Sequence, residues 1–277
     1  MTIPFTKMNG AGNDFVVIDN RKSIVPDASK EKFVEKVCDR RFSVGADGVI
    51  FIENSDSDKV DFRWDFYNSD GSTAEMCGNG ARCAARYAVD NNIAQAPNLS
   101  FETIAGIINA EVGGETIKVK LTEPHDFEQG RKVDLDSDSH TIDSINTGVP
   151  HAVLFSNKID DLKTIKPIGS AIRHHKEFAP AGTNVNLVEI TGKDSIKIRT
   201  YERGVEDETL ACGTGATAAA ILAAKREKVT APVAVKIASG CELRIHFDPS
   251  LDNGFGDVIL EGPAEVNFQG TLNGNLI

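Results

Sequence analysis

Positive charge is what this chain has too little of: 30 lysines and arginines face 41 aspartates and glutamates, for a net charge of −11. Binding to nucleic acid or to an anionic membrane surface is driven by clustered cations that release counterions. Both partners are therefore set aside in favour of a small polar metabolite. No charge-free apolar run approaches the ~20 residues that cross a bilayer, and the segment Met1-Thr2-Ile3-Pro4-Phe5-Thr6-Lys7 lacks the apolar core of a signal peptide. A cytoplasmic protein without membrane contact is expected.

Cysteine is scarce too. Cys38, Cys77, Cys83, Cys212 and Cys241 are an odd, scattered set of five, which does not read as a disulfide framework and suits free thiols in a reducing compartment. There is no Cys-x-x-Cys, and the six histidines are not spaced to complete a ligand set, so no metal is expected. The adjacent pair His174-His175 reads as a solvated loop. No lysine stands in a context that suggests a Schiff base, and no cofactor is called for.

What is present is a repeat. Cys77-Gly78-Asn79-Gly80-Ala81 returns as Cys212-Gly213-Thr214-Gly215-Ala216, 135 residues later (212 − 77). A second echo, Gly12-Asn13-Asp14-Phe15-Val16-Val17-Ile18 against Gly148-Val149-Pro150-His151-Ala152-Val153-Leu154, has an offset of 136 (148 − 12). A shared offset near half of 277 residues points to a duplicated domain, and two domains of about 130 to 140 residues can each bury a core.

Segments 62–67, 117–121, 195–201 and 243–247 alternate with period two, as half-buried strands do, and Val112-Gly113-Gly114-Glu115 reads as a hairpin turn. The run 216–224 has high helix propensity and carries no charge, as a buried helix does. Its counterpart, 81–89, is similar but carries two arginines, expected on part of its surface. Each half then gathers strands around one helix, an α+β fold of two pseudo-symmetric domains, each a mixed sheet or barrel curled around its central helix. The boundary is placed near Pro124, where Glu123-Pro124-His125-Asp126 is read as ending a strand. Two acidic runs, Glu53–Asp61 and Asp134–His140, are read as exposed loops.

A cysteine at a helix N-terminus sits in the positive end of the helix dipole, which favours the thiolate. Neighbouring glycines let the backbone approach a ligand, and the free N–H groups of the first turn receive anions. Two such turns suit inversion at the α-carbon of an amino acid: one thiolate removes the proton from one face, one thiol returns a proton to the other, and the helix termini hold the carboxylate. Cys38, Cys83 and Cys241 lack the glycine context and are read as buried hydrophobes.

Lys7 to Phe15, Phe66 to Ser72, Met76 to Arg82, Gly182-Thr183-Asn184-Val185-Asn186 and Tyr201-Glu202-Arg203-Gly204 continuing to Gly215 together resemble the diaminopimelate epimerase family, along nearly the whole chain. The resemblance implies cofactor-independent conversion of LL- to meso-diaminopimelate in lysine and peptidoglycan precursor synthesis, with Cys77 and Cys212 as acid and base. It also implies that Gly78, Asn79, Gly213 and Thr214 hold the reacting carboxylate and that Asn13, Asn68 and Asn184 bind substrate. Arg203 would grip the distal carboxylate, for which a guanidinium is suited. Glu202 would lie near the substrate ammonium and, with His151, influence the thiols. The active site would occupy the cleft between a first domain, 1–124 joined by 265–277, and a second, 125–264, in a homodimer. Val149 and Gly48 stand where some members of the family carry an asparagine and a glutamine.

Each residue also has a plainer reading: the asparagines as turn formers, Glu202-Arg203 as a surface ion pair, His151 as a strand cap, and Lys7, Asp14 and Arg82 as residues that order loops. Three other functions remain open from sequence: a racemase of the same superfamily acting on proline or histidine, a non-catalytic small-anion-binding module built on two glycine turns, and a redox protein.

Overall fold

The computed structural model describes residues 2–73, 76–135, 138–157, 159–161, 163–250 and 254–276. The chain divides into two compact units, Met1–Val119 with Gly262–Ile277, and Lys120–Glu261.

The first unit runs β1 (Thr2–Gly10), β2 (Asn13–Asp19), α1 (Asp27–Cys38), β3 (Gly48–Glu53), β4 (Phe62–Asn68), α2 (Gly78–Asp90), β5 (Asn98–Thr103), β6 (Gly106–Gly113) and β7 (Thr116–Lys120). Successive strands pair antiparallel, parallel, antiparallel, parallel, antiparallel and antiparallel, forming one open mixed sheet. A parallel step needs a crossover longer than a hairpin, and α1 and α2 supply the two. The last strand of the chain, Glu265–Asn273, pairs antiparallel with β1.

Strand β3 is buried from end to end because it is covered on both faces. Val49 and Phe51 meet Phe33, Val34 and Val37 of α1, while Ile50 lies under Gly80 of α2. Helix α2 packs on β1, β2, β3 and β6. The ammonium of Lys30, fully buried on α1, lies 2.7 Å from Asp27, 2.6 Å from Glu53 and 2.5 Å from Asp65. A buried charge requires such partners.

The second unit runs β8 (His125–Leu135), β9 (Asp138–Asn146), β10 (Pro150–Phe155), α3 (Lys166–Arg173), β11 (Asn184–Ile190), β12 (Ser195–Glu202), β13 (Asp207–Thr209), α4 (Gly213–Lys225), β14 (Val233–Lys236), β15 (Glu242–His246) and β16 (Ile259–Pro263). From β9 through β10, β11, β12, β14 and β15 to β16 the pairings repeat the order of directions seen from β1 to β7. β8 lies antiparallel on β9, as the C-terminal strand lies on β1, and β13 adds a short hairpin on β12. The duplication expected from the cysteine offset is thus present strand for strand. Helix α4 is buried at Gly213 and from Gly215 to Ala224, and its small side chains let β9, β10, β11 and β12 close on it.

Four local expectations change. Arg82 is not on the surface of α2: it is fully buried, donating to the carbonyls of Pro263 at 3.2 Å and Gly78 at 3.3 Å and to Asn79 Oδ1 at 2.9 Å. Glu53 is not in a loop but ends β3, buried against Lys30. His125 and Asp126 open β8 rather than end a strand, since β7 stops at Lys120. Of the run Asp134–His140, the described residues belong to strands β8 and β9 rather than to a loop, with Leu135 opposite Asp138; Asp136 and Ser137 lie outside the described residues. Cys38 and Cys83 are buried, whereas Cys241 is half-buried.

Candidate active site

In the first unit Cys77 caps α2. Its extended backbone (φ −143°, ψ 112°) ends the preceding loop, and its sulfur accepts the Gly80 N–H at 3.4 Å, taking the place of the usual capping oxygen. The same sulfur lies 3.7 Å from Asn13 Oδ1, which also accepts from Asn79 Nδ2 at 3.2 Å. Asn13 is oriented from its other end, where Nδ2 donates to Asp47 Oδ2 at 2.6 Å. Arg40 bridges Asp47 at 2.8 Å and Asp14 at 2.6 Å, and Lys7 reaches Asp14 at 2.6 Å. Burial pulls the Asp14 carboxyl up, but hydrogen bonds from Arg40 and Lys7 outweigh it and hold it at about 2. Asn68 ends β4 and donates to Ser72 Oγ at 3.0 Å, in a turn joined to the same loop by Ser69 N–H on the Asp47 carbonyl.

In the second unit Cys212 caps α4 with φ −127° and ψ 103°. Its sulfur lies 3.4 Å from Thr214 Oγ1, and that hydroxyl lies 2.9 Å from Nε2 of His151 on β10. His151 is fully buried; burial, and secondarily the charge of Arg203, push it down to about 3, so the ring is neutral. Asn184, at the start of β11, accepts the backbone N–H of Arg203 at 2.7 Å. It thereby sets the turn in which Arg203 follows Glu202, the last residue of β12. The backbone carbonyl of Thr214 is held by Thr147 Oγ1 at 2.9 Å.

The sequence-derived residues therefore gather into two clusters: Cys77, Gly78, Asn79 and Asn13 in the first unit, with Asn68 one turn away, and Cys212, Gly213, Thr214 and His151 in the second, with Asn184 beside Arg203. Sequence reasoning missed Asp47 and Arg40, which orient Asn13, and Asn186 and Thr200, which lie behind His151. The available signal for Asn186 was a polar residue inside the apolar run of β11, where burial demands a partner.

Sterics bear on one of the two positions at which the chain departs from some family members. A Cβ at Gly48 would lie 2.5 Å from the Tyr67 carbonyl oxygen and 2.7 Å from Phe66 Cε2, so a glutamine there would require this backbone to shift. Among the described residues the acidic triad Asp27, Glu53 and Asp65 is the only group spaced to hold a metal ion, and the Lys30 ammonium already lies among them. Burial pushes the Cys38 and Cys83 thiols up to about 12, which leaves them protonated and unreactive.

The family model for diaminopimelate epimerase matches residues 5–125 and 144–254. The diaminopimelate epimerase of Aquifex aeolicus (strain VF5) is 48% identical over 278 residues, covering 97% of each chain. Among solved structures, the phenazine biosynthesis protein of the PhzF family from Bacillus anthracis superposes with a TM-score of 0.75 over 99% of each chain at 17% identity. A probable proline racemase from Agrobacterium radiobacter K84 reaches a TM-score of 0.73 over 98% of this chain and 93% of its own at 13% identity. At those identities the two structures share the fold alone. The duplicated architecture, the paired cysteine caps and the near full-length match lead to one assignment: the chain belongs to the diaminopimelate epimerase family.

Proposed function

We propose that this protein is an isomerase that interconverts LL- and meso-diaminopimelate without a cofactor, in lysine and peptidoglycan precursor synthesis. The observation that carries the reading is the placement of Cys77 and Cys212 at the N-caps of the two repeat-related helices. One sulfur, as thiolate, takes the α-proton. The electron pair left on carbon is stabilised through the carboxylate by the N–H groups of Gly78, Asn79, Gly213 and Thr214. The other sulfur, as thiol, returns a proton to the opposite face, and the two sulfurs end with exchanged protonation states. Asn13, Asn68 and Asn184 position the substrate, Arg203 pairs with its distal carboxylate, and Glu202 lies by its ammonium. A buried, neutral His151 tunes Cys212 through Thr214.

A cytoplasmic homodimer is part of the same proposal. Among the described residues no helix is long and apolar enough to cross a membrane. A related racemase or epimerase acting on another amino acid is the second reading, favoured by Val149 and by the absence of room for a side chain at Gly48. Incubation of reduced protein with LL-diaminopimelate, proline and histidine in parallel, with chiral separation of the products, tests the choice. The expected outcome is meso-diaminopimelate alone; inversion of proline or histidine with diaminopimelate untouched would move the assignment to the second reading.

A further inference from the structure

Asn186 is fully buried on β11, two residues from Asn184 and on the same face of the strand. Its Nδ2 lies 3.0 Å from His151 Nδ1 and 3.4 Å from the Ala152 carbonyl oxygen, and its Oδ1 accepts from Thr200 Oγ1 at 2.9 Å. A carbonyl oxygen only accepts, so the amide must turn its NH2 toward Ala152 and therefore toward His151. The imidazole Nδ1 then accepts, and a neutral ring so held carries its proton on Nε2. That N–H donates to Thr214 Oγ1 at 2.9 Å, which leaves the hydroxyl hydrogen directed at Cys212 Sγ, 3.4 Å away.

We infer that Asn186 is a positioning residue: by fixing the Nε2–H tautomer of His151 it turns the Thr214 hydroxyl toward Cys212 and favours that sulfur as thiolate. The inference rests on the reading of Cys212 as an acid/base group. It also separates the two sulfurs, because Cys77 faces Asn13 Oδ1, an acceptor that takes a thiol hydrogen. Neutrality of His151, which the relay requires, follows from its burial, supported by the charge of Arg203.

Few other charges bear on the relay. α4 carries none before Lys225 and β10 none at all. On β9 Asp143 is paired with Arg226 on the C-cap of α4, with Asp138 and His140 toward the hairpin tip. Glu189 on β11 accepts the Ile159 N–H. On β12 Lys197 and Arg199 are paired with Asp160 and Glu208, and Glu202 adjoins Arg203.

The test compares wild type with Asn186→Asp and Asn186→Leu. A carboxylate at 186 would draw the ring proton to Nδ1 and make Nε2 the acceptor of the Thr214 hydroxyl; leucine removes the restraint. Two readouts are used: the ¹⁵N spectrum of the His151 ring, and the pH dependence of iodoacetamide alkylation of Cys212 and Cys77, resolved by peptide mass spectrometry. Wild type is expected to show a protonated Nε2 and a bare Nδ1. In both variants the midpoint for Cys212 should rise by about one pH unit, a tenfold loss of thiolate below it, with Cys77 unmoved. A wild-type ring protonated on Nδ1, or an unmoved Cys212 midpoint in folded variants, would overturn the inference. Should neither variant fold, the wild-type ¹⁵N spectrum decides alone: a proton on Nε2 is what the inference requires, and one on Nδ1 overturns it. Alkylation needs no turnover. An inactive protein that shows the displacement would reject the proposed reaction alone, and an active one that lacks it would reject the role of Asn186 alone.

Discussion

A Cβ on Gly215 would lie 2.4 Å from Oδ1 of Asn186 and 3.2 Å from Sγ of Cys212, whereas one on Gly80, the matching position of α2, would meet nothing closer than Ile50 Cδ1 at 3.4 Å. The two Cys-Gly-x-Gly turns are alike in sequence and unlike in clearance. Gly215→Ala is therefore expected to destabilise by about 1–3 kcal/mol through overpacking, while Gly80→Ala should stay within about 1 kcal/mol of wild type, helped by alanine's helix propensity. Urea unfolding of both variants checks this, and equal losses would contradict it.

Asp47 acts on the first cysteine through Asn13. Without it, the Asn13 amide loses the acceptor at 2.6 Å that keeps its carbonyl toward Cys77. Loss of one charge-assisted hydrogen bond is worth about 1.5–3 kcal/mol, so Asp47→Ala should lower kcat/KM roughly ten- to a hundredfold. Steady-state kinetics on protein shown to be folded provides the check; unchanged kinetics would remove Asp47 from the site.

The buried imidazole has a consequence for acid stability. His151 is pushed down to about 3 in the fold and returns to about 6.5 when unfolded, so between these values the unfolded chain binds a proton that the native one does not. Its contribution lowers stability as pH falls below about 6.5. His151→Gln removes it, and the decline in Tm from pH 7.5 to pH 5 should be shallower than in wild type, measured by calorimetry. Asp14 acts lower: its carboxyl, at about 2 in the fold, stabilises the native state above about 4 and loses that effect as pH falls through 2.

Gly48→Gln would place the residue that some family members carry at this position. Here its Cβ would strike the Tyr67 carbonyl, so the expected outcome is a loss of about 1–3 kcal/mol in stability with no gain in affinity for diaminopimelate. Denaturant titration and KM measurements on the same preparation decide it.

What could be read in advance depended on where the signal lay. Helix α4 was legible because no charge interrupts it, and β4, β7, β12 and β15 because each alternates between a buried and a wetter face. The β8–β9 hairpin was not, since most of β8 is exposed and offers no apolar period. Arg82 was misplaced because composition cannot reveal that three oxygen acceptors converge on a guanidinium from within its own helix and from Pro263. At the site, the cysteine turns were legible as a repeat. The groups that orient them were not, because Asp47, Asn186 and Thr200 are brought to their partners only by strand pairing, as when β11 sets Asn186 beside Val153 and opposite Thr200.

Under the proposed mechanism Cys77 and Cys212 share one inversion, which early turnover of LL-diaminopimelate in D₂O, followed by NMR and mass spectrometry, tests directly. Deuterium is expected at the inverted α-carbon of the meso product while unreacted LL substrate remains protiated, because the proton removed by one sulfur is not the one returned by the other. Equal labelling of substrate and product from the first turnovers, or product without deuterium, would mean that a single group handles both faces and would exclude a two-sulfur inversion.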